Sequence, residues 1–156
     1  MNNIYVSNQS ENVNLADDTE DLDIFPELTI LVVDDDDNMR FLITEVFEIY
    51  GFKVMAATNA LEAFELIEQF HLDLLISDIN MPGENGYWLI QKIRKLTSPK
   101  KSEIPAIAFT ANMEANAHNK ALASGFQAYL QKPSKIEQIL AEATKLLKGS
   151  VKLSFP

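Results

Sequence analysis

The sequence predicts an α/β fold in which a parallel β-sheet is covered by helices on both faces. Five short apolar runs alternate with five segments of helical periodicity, the pattern of successive strand–helix–strand units. The runs are apolar throughout rather than alternating, as expected of strands buried on both faces. Because five units cannot close an eight-stranded barrel, an open, doubly wound sheet is favoured.

The first three strands are separated by two helices. Ile30–Val33 is a continuous apolar run, rich in β-branched residues, that ends at acidic residues, so it predicts a buried strand. The following helix ends at Gly51, and Lys53–Ala57 is the second strand. Asn59 is placed to cap the second helix, and Leu74–Ser77 is the third strand. The apolar faces of the two helices are predicted to be Met39, Leu42, Ile43, Val46 and Tyr50, and then Leu61, Phe64 and Phe70.

A loop rich in proline and glycine precedes the next strand–helix units. Tyr87–Leu96 has helical spacing, with an inward face of Leu89, Ile90 and Ile93. Ala106–Phe109 predicts the fourth strand. Ala111–Ala123 is predicted to be helical by propensity, although its apolar face is mostly alanine.

The last units define the predicted domain boundaries. Ala128–Leu130 is a short fifth strand, and Ser134 begins a capping box for a helix that we expect to end at Gly149. The folded domain is therefore predicted over 28–148, with a C-terminal tail over 149–156. We therefore expect no separate output domain after the last helix.

Residues 1–27 have a different composition from the rest of the chain. They contain seven acidic residues and no lysine or arginine, which predicts a mostly disordered acidic arm. The alternative is that the apolar residues Ile24, Phe25 and Pro26 dock onto the domain or onto a partner.

Composition also excludes several classes of function. The net charge of −10 argues against binding to nucleic acid or to an anionic membrane surface. The absence of cysteine excludes disulfide scaffolds and cysteine nucleophiles. No segment has the length of a membrane span or the form of a secretory signal, so we expect a cytoplasmic protein.

Polar residues stand where four of the predicted strands end. Asp34 and Asp35 follow the first strand, Asp78 follows the third, Thr110 the fourth and Lys132 the fifth. Ligands of open parallel sheets bind beyond the carboxyl ends of the strands, so these side chains are expected to form one pocket.

The chemistry of that pocket follows from its residue types. Three neighbouring carboxylates need a compensating cation, and oxygen ligands that await a phosphate suit Mg²⁺. Lys132 supplies a point charge for a phosphoryl oxygen, and Thr110 supplies a hydroxyl. A carboxylate shielded by a metal ion can attack phosphorus, which would give an aspartyl phosphate.

Four short motifs carry a family resemblance. They are Leu31-Val32-Val33-Asp34-Asp35, Asp78-Ile79-Asn80-Met81-Pro82 followed by Gly86, Thr110-Ala111, and Tyr129-Leu130-Gln131-Lys132-Pro133. With these motifs in order at strand ends, the sequence resembles the response-regulator receiver domains of two-component signalling. The resemblance implies a flavodoxin-like sheet of strand order 2-1-3-4-5.

The resemblance also implies roles for the pocket residues. Asp78 would accept a phosphoryl group from a phosphohistidine on a histidine kinase or histidine phosphotransfer protein. Asp35, with Asp34 nearby, would hold Mg²⁺ together with Asp78 and the backbone carbonyl of Asn80. Lys132 would contact the phosphoryl group.

Further expectations concern the response to phosphorylation. Thr110 would be the switch hydroxyl and Tyr129 the switch aromatic, and the Lys132–Pro133 bond would be cis. The face formed by 111–147 would bind a downstream protein partner. Such a protein is a signalling switch rather than an enzyme, limited to its own phosphorylation and dephosphorylation, with Asn80 and Asn112 setting the rate of hydrolysis.

The acidic run is also compatible with other kinds of site. The run over 34–37 could be only a solvated turn that caps a helix, with Asp37 as the cap. It resembles a calcium loop, but Met39 stands where that loop requires glycine. Asp34 and Asp36 resemble the nucleophile motif of haloacid-dehalogenase-like phosphatases, but a distal acidic pair is missing and Asp78 would have no role. A receiver-like binding module that takes no phosphate is the remaining alternative.

Overall fold

The structure, a computed structural model, describes residues 27–154, of which the last six are described as backbone alone. Five parallel strands form one sheet in the order β2-β1-β3-β4-β5, as expected. They are β1 Thr29–Val33, β2 Lys53–Ala57, β3 Leu74–Ser77, β4 Ala106–Thr110 and β5 Ala128–Gln131. The sequence interpretations of residues 1–26 lie outside the described residues.

Six helices cover the sheet within this part of the chain. They are α1 Asp37–Ile49, α2 Ala60–Gln69, α3 Gly86–Arg94, α4 Pro99–Ser102, α5 Ala117–Ser124 and α6 Ile136–Ser154. The single-turn helix α4 was not predicted, because four residues are too short to show a helical period. None of the described helices has the combination of length and apolarity that crossing a membrane would require.

The core is divided by the sheet into two apolar layers. Ile30 and Val32 of β1 face the layer that contains residues of α1 and α6, whereas Leu31 and Val33 face the layer that contains α2 and α3. Successive side chains of a strand point to opposite faces, so a strand covered on both sides must be apolar at every position. This is why the strands could be located from their continuous apolar runs.

The predicted apolar face of α2 was partly wrong. Leu61 and Phe70 are 58% and 46% exposed, and the buried residues are Ala60, Ala63 and Ile67. These three positions follow one another at spacings of three and four residues, so they share one narrow face. Two small alanine side chains allow the helix to lie close to the sheet, a contribution that a search for large apolar residues misses.

The start of α5 was also predicted wrongly. Residues 111–116 are not helical, and the helix begins at Ala117 rather than at Ala111. The Thr110 hydroxyl accepts a hydrogen bond from the amide of Asn112, whose side-chain oxygen accepts one from the amide of Glu114. Such local bonds offer the backbone an alternative to helix formation.

The ends of α6 differ from the prediction as well. The helix continues through Gly149 to Ser154, since glycine inside a helix costs only about 1 kcal/mol relative to alanine. At the other end, the Ser134 hydroxyl donates to the carbonyl of Gln131, and the helix begins at Ile136. Ser134 therefore does not occupy the capping position that the sequence suggested.

Two other helix starts test the capping predictions. Asn59 caps α2 as predicted, because its side-chain oxygen accepts from the Glu62 amide at 2.8 Å. The cap of α1 is Asp36, whose carboxylate accepts from the amides of Asn38 and Met39. Asp37, the predicted cap, is instead the first helical residue.

Candidate functional site

Three carboxylates meet at the carboxyl edge of the sheet. Val33 of β1 pairs with Ser77 of β3, so the residues that follow them, Asp34 and Asp78, are neighbours. One carboxylate oxygen from each of Asp34, Asp35 and Asp78 lies within 4.8 Å of the others. Asp34 and Asp78 are buried, whereas Asp35 is exposed. The structure thus brings together the acidic residues that the sequence singled out.

The Asp78 carboxylate is held from two sides. Its Oδ1 accepts hydrogen bonds from the amides of Ile79, at 2.7 Å, and Asn80, at 3.3 Å. Its Oδ2 lies 3.3 Å from the Lys132 ammonium nitrogen. One oxygen is therefore oriented by the backbone, and the other is directed toward a cation.

Lys132 bridges two strands through its ammonium group. The Nζ atom lies 2.9 Å from Asp34 Oδ2, in addition to its contact with Asp78. Burial acts to lower the pKa of Lys132, but hydrogen bonds and charge interactions with Asp34 and Asp78 outweigh it and raise that pKa. One ammonium faces three carboxylates, so the pocket has an excess of negative charge.

Burial of the Asp34 carboxylate in this pocket has an electrostatic cost. Burial raises the pKa of the Asp34 carboxyl, although hydrogen bonds from Lys132 and the Asp36 amide act in the opposite direction. A buried carboxylate with this much negative charge around it favours the arrival of a further cation.

The predicted switch residues lie beside this pocket on β4 and β5. Thr110 is fully buried, and its carbonyl accepts a hydrogen bond from the Lys132 amide at 2.8 Å. The Tyr129 hydroxyl donates to the Asn112 carbonyl at 3.2 Å, and its ring stacks on the His118 ring with centroids 5.0 Å apart. The Lys132–Pro133 bond is cis, as predicted.

Three residues that support the site were not identified as such from the sequence. The Ser77 hydroxyl donates to the Asp78 carbonyl at 2.7 Å. The Arg40 guanidinium donates to the Asp34 carbonyl at 2.8 Å and also pairs with Asp37. An arginine in an amphipathic helix carries no signal for such a contact. Gly86 was interpreted only as a loop and motif residue, and its steric role emerges from the structure.

Gly86 is required by close packing against the site. A β-carbon added at this position would lie 2.4 Å from the Asp78 carbonyl oxygen and 2.9 Å from the Ile79 α-carbon. Both atoms belong to the backbone, so neither can move aside as a flexible side chain could. The Gly86 amide also donates to the Ile79 carbonyl at 2.8 Å, which ties the start of α3 to the strand end.

We expect Gly86→Ala to lower the free energy of unfolding by about 3 kcal/mol, because the methyl group must displace this backbone. Gly83→Ala is the matched control: Gly83 has a φ of 80° but no atom near its added β-carbon, so it should cost only about 1 kcal/mol of backbone strain. Urea unfolding of both variants measures the difference. Equal losses would show that the close approach is relieved at little cost.

The sequence of this chain is similar to a known family and to individual proteins. Residues 30–144 match the family model of the response regulator receiver domain. An uncharacterised 14.6 kDa protein of Leptolyngbya boryana is 44% identical over 107 residues, which are 69% of this chain and 80% of that protein. The sensor protein EvgS of Escherichia coli K12 is 32% identical over 77% of this chain, which spans only 10% of that protein.

Solved structures agree with the sequence comparison. A CheY-like response regulator receiver domain protein from Methanospirillum hungatei superposes with a TM-score of 0.74 at 27% identity, covering 81% of this chain and 98% of its own. A putative response regulator from Chloroflexus aurantiacus gives a TM-score of 0.72 at 29% identity, covering 78% of this chain and 98% of its own. This chain therefore belongs to the response regulator receiver domains of two-component systems.

Proposed function

We propose that this receiver domain is a phosphorylatable switch whose acceptor is the Asp78 carboxylate. The observation that carries the proposal is the geometry of Asp78, with Oδ1 held by two backbone amides and Oδ2 beside Lys132. The similarity to segments of EvgS and of the sensor histidine kinase RcsC supports a phosphohistidine donor, on a histidine kinase or a phosphotransfer protein.

The proposed reaction is a single phosphoryl transfer. An Asp78 carboxylate oxygen forms a new O–P bond while the P–N bond of phosphohistidine breaks. The electron pair of the broken bond stays on the imidazole nitrogen, and the imidazole leaves in its neutral form when its other nitrogen carries a proton. Lys132 is positioned to neutralise charge on the phosphoryl oxygens during transfer.

The donor set of the pocket fits Mg²⁺. Three carboxylates within 4.8 Å are hard oxygen ligands, and among the described residues Lys132 is the ammonium paired with two of them, Asp34 and Asp78. Asp34, Asp35, Asp78 and the backbone carbonyl of Asn80 would hold the ion. When bound, it would supply positive charge that stabilises the transferring phosphoryl group.

The proposed output is a protein contact rather than turnover of a substrate. Tyr129 connects the site to the segment before α5 through its hydrogen bond to Asn112. On the neighbouring surface, Met113 and Leu122 are 79% and 41% exposed, which suits a protein partner that binds the 111–147 face. The cysteine-free composition fits the reducing conditions of the cytoplasm, where we place this switch.

Intact-protein mass spectrometry tests the proposal. The full chain is incubated with acetyl phosphate and Mg²⁺, and a parallel sample contains EDTA. We expect one added phosphoryl group that is removed by hydroxylamine, as an acyl phosphate should be, and that is absent with EDTA. Peptide mapping after borohydride reduction should locate it at Asp78. If no adduct forms and no inorganic phosphate is released above the level of the EDTA sample, the proposal is overturned. That result would favour a binding module that takes no phosphate.

A further inference from the structure

A groove of about 550 Å³ lies at the edge of the sheet opposite the carboxylate pocket. It falls within the range of about 300–1,000 Å³ that is usual for pockets that bind ligands. Six of the residues that line it are apolar and come from four separate parts of the chain: Leu28, Leu72, Pro99, Ile104, Pro105 and Leu147. The proposed phosphorylation site does not use this groove.

The rim of the groove is polar and held in place. Asp73 accepts a hydrogen bond from the Thr29 amide at 2.8 Å, and its other oxygen lies 3.0 Å from His71 Nε2. Lys100 and Glu103 also line the groove and are exposed. The groove is therefore lined by both apolar and charged side chains, which suits a short apolar segment with polar neighbours.

The chain itself brings such a segment to the groove. Leu28, a lining residue, directly follows a turn at Glu27, whose φ is 67°. Phe25 precedes Leu28 by three residues, so its α-carbon lies within about 11 Å of the Leu28 α-carbon in any conformation. The Ile24-Phe25-Pro26 sequence is thus tethered close to the groove, whose volume is sufficient for its side chains.

Charge favours the same occupant. Residues 11–23 contain six acidic residues and no basic ones, whereas residues 92–101 contain five basic residues and no acidic ones. The basic stretch ends at the groove, because Lys100 lines it. In a chain with a net charge of −10, attraction between opposite charges favours contact between this basic stretch and the acidic segment.

We propose that the groove binds the Ile24-Phe25-Pro26 segment of the same chain, with Phe25 in contact with the apolar lining residues and the preceding acidic residues facing the 92–101 stretch. Burial of one phenylalanine side chain contributes a favourable free energy of docking. The opposing loss of chain entropy is small, because the tether is short. The inference is independent of the proposed phosphorylation.

Disulfide trapping tests the proposal in the full-length chain. Because the chain has no cysteine, an introduced pair is the only pair. Ile24→Cys is combined with Glu103→Cys at the groove, or with Lys53→Cys as the matched control. Lys53 is exposed and lies beside the tether, since its amide donates to the Leu28 carbonyl at 3.0 Å.

We expect the 24–103 pair to oxidise at least about tenfold faster than the 24–53 pair, because docking raises the effective concentration at one position alone. Adding Phe25→Asp should remove the difference, while circular dichroism shows that each variant remains folded. Equal oxidation rates for the 24–103 and 24–53 pairs in the chain that keeps Phe25 would overturn the proposal. A disulfide-linked dimer as the main product would also overturn it, since the groove would then bind a second copy.

A stability measurement provides a second, cysteine-free test. Phe25→Ala should lower the midpoint of thermal unfolding by several degrees. Val13→Ala, a control in the preceding acidic segment, should leave that midpoint unchanged. Identical midpoints for the two variants would contradict docking of Phe25.

Discussion

Replacing Asp78 by asparagine is expected to abolish phosphorylation of this receiver domain by acetyl phosphate. The carboxamide has nearly the same size as the carboxylate, so the packing around Ile79 and Asn80 should persist. Its oxygen is a far poorer nucleophile, because the amide carries no negative charge to donate to phosphorus. We expect the rate of adduct formation to fall by at least about 10³-fold.

Asp37→Asn is the matched control for this prediction. Asp37 belongs to the same acidic run as Asp34, but its side chain is 87% exposed and it pairs with Arg40 rather than with Lys132. Its rate of phosphorylation should remain within about twofold of the wild-type rate. If Asp78→Asn accepted phosphate as fast as Asp37→Asn, another residue would be the acceptor and the proposed function of Asp78 would be wrong.

Replacing Lys132 by methionine is expected to affect both chemistry and stability. Removal of one preorganised cation from a transition state with developing negative charge typically slows a reaction by about 10²–10³-fold. Methionine keeps most of the apolar stem but removes the ammonium group, which lies 5.4 Å from the centroid of the Phe109 ring, so the effect should come from the lost charge. The rate of acyl phosphate formation, followed by intact mass, measures it.

The same substitution leaves Asp34 and Asp78 without their shared cation. We expect the free energy of unfolding to fall by about 3 kcal/mol in EDTA, since a buried carboxylate loses its partner. Addition of Mg²⁺ should restore part of that loss, because the ion would compensate the same charges.

Lys135→Met provides the control, since Lys135 is exposed and should change neither quantity measurably. A Lys132→Met variant that reacts at the wild-type rate would remove Lys132 from the proposed chemistry. A loss of stability that Mg²⁺ leaves unchanged would argue against a metal ion beside Asp34 and Asp78.

Much of the fold was predictable from local patterns. The five predicted strands agree with the observed ones to within one residue at each end, because a strand covered on both faces is marked by its own continuous apolar run. The site residues were predictable for a related reason. Asp34, Asp78 and Lys132 directly follow strands, and parallel strands end at one edge of the sheet.

The wrong predictions arise where local patterns compete with particular hydrogen bonds. Helical propensity placed the start of α5 at Ala111, but bonds from Thr110 and Asn112 hold those residues outside the helix. The face of α2 was misassigned because Ala60 and Ala63 pack inward while Leu61 remains exposed. Residue type alone does not reveal how a helix is rotated about its axis.

The sequence by itself determined the class of fold, the order of the elements and which polar residues stand at the strand ends. Each of these depends on residues close together in the chain, so each leaves a local pattern. The tertiary structure alone decided that Lys132 pairs with Asp34 across 98 positions, that Gly86 must lack a β-carbon, and that Leu28 and Leu147 share a groove. These features depend on how distant elements approach one another, and close packing makes that approach a property of the whole fold.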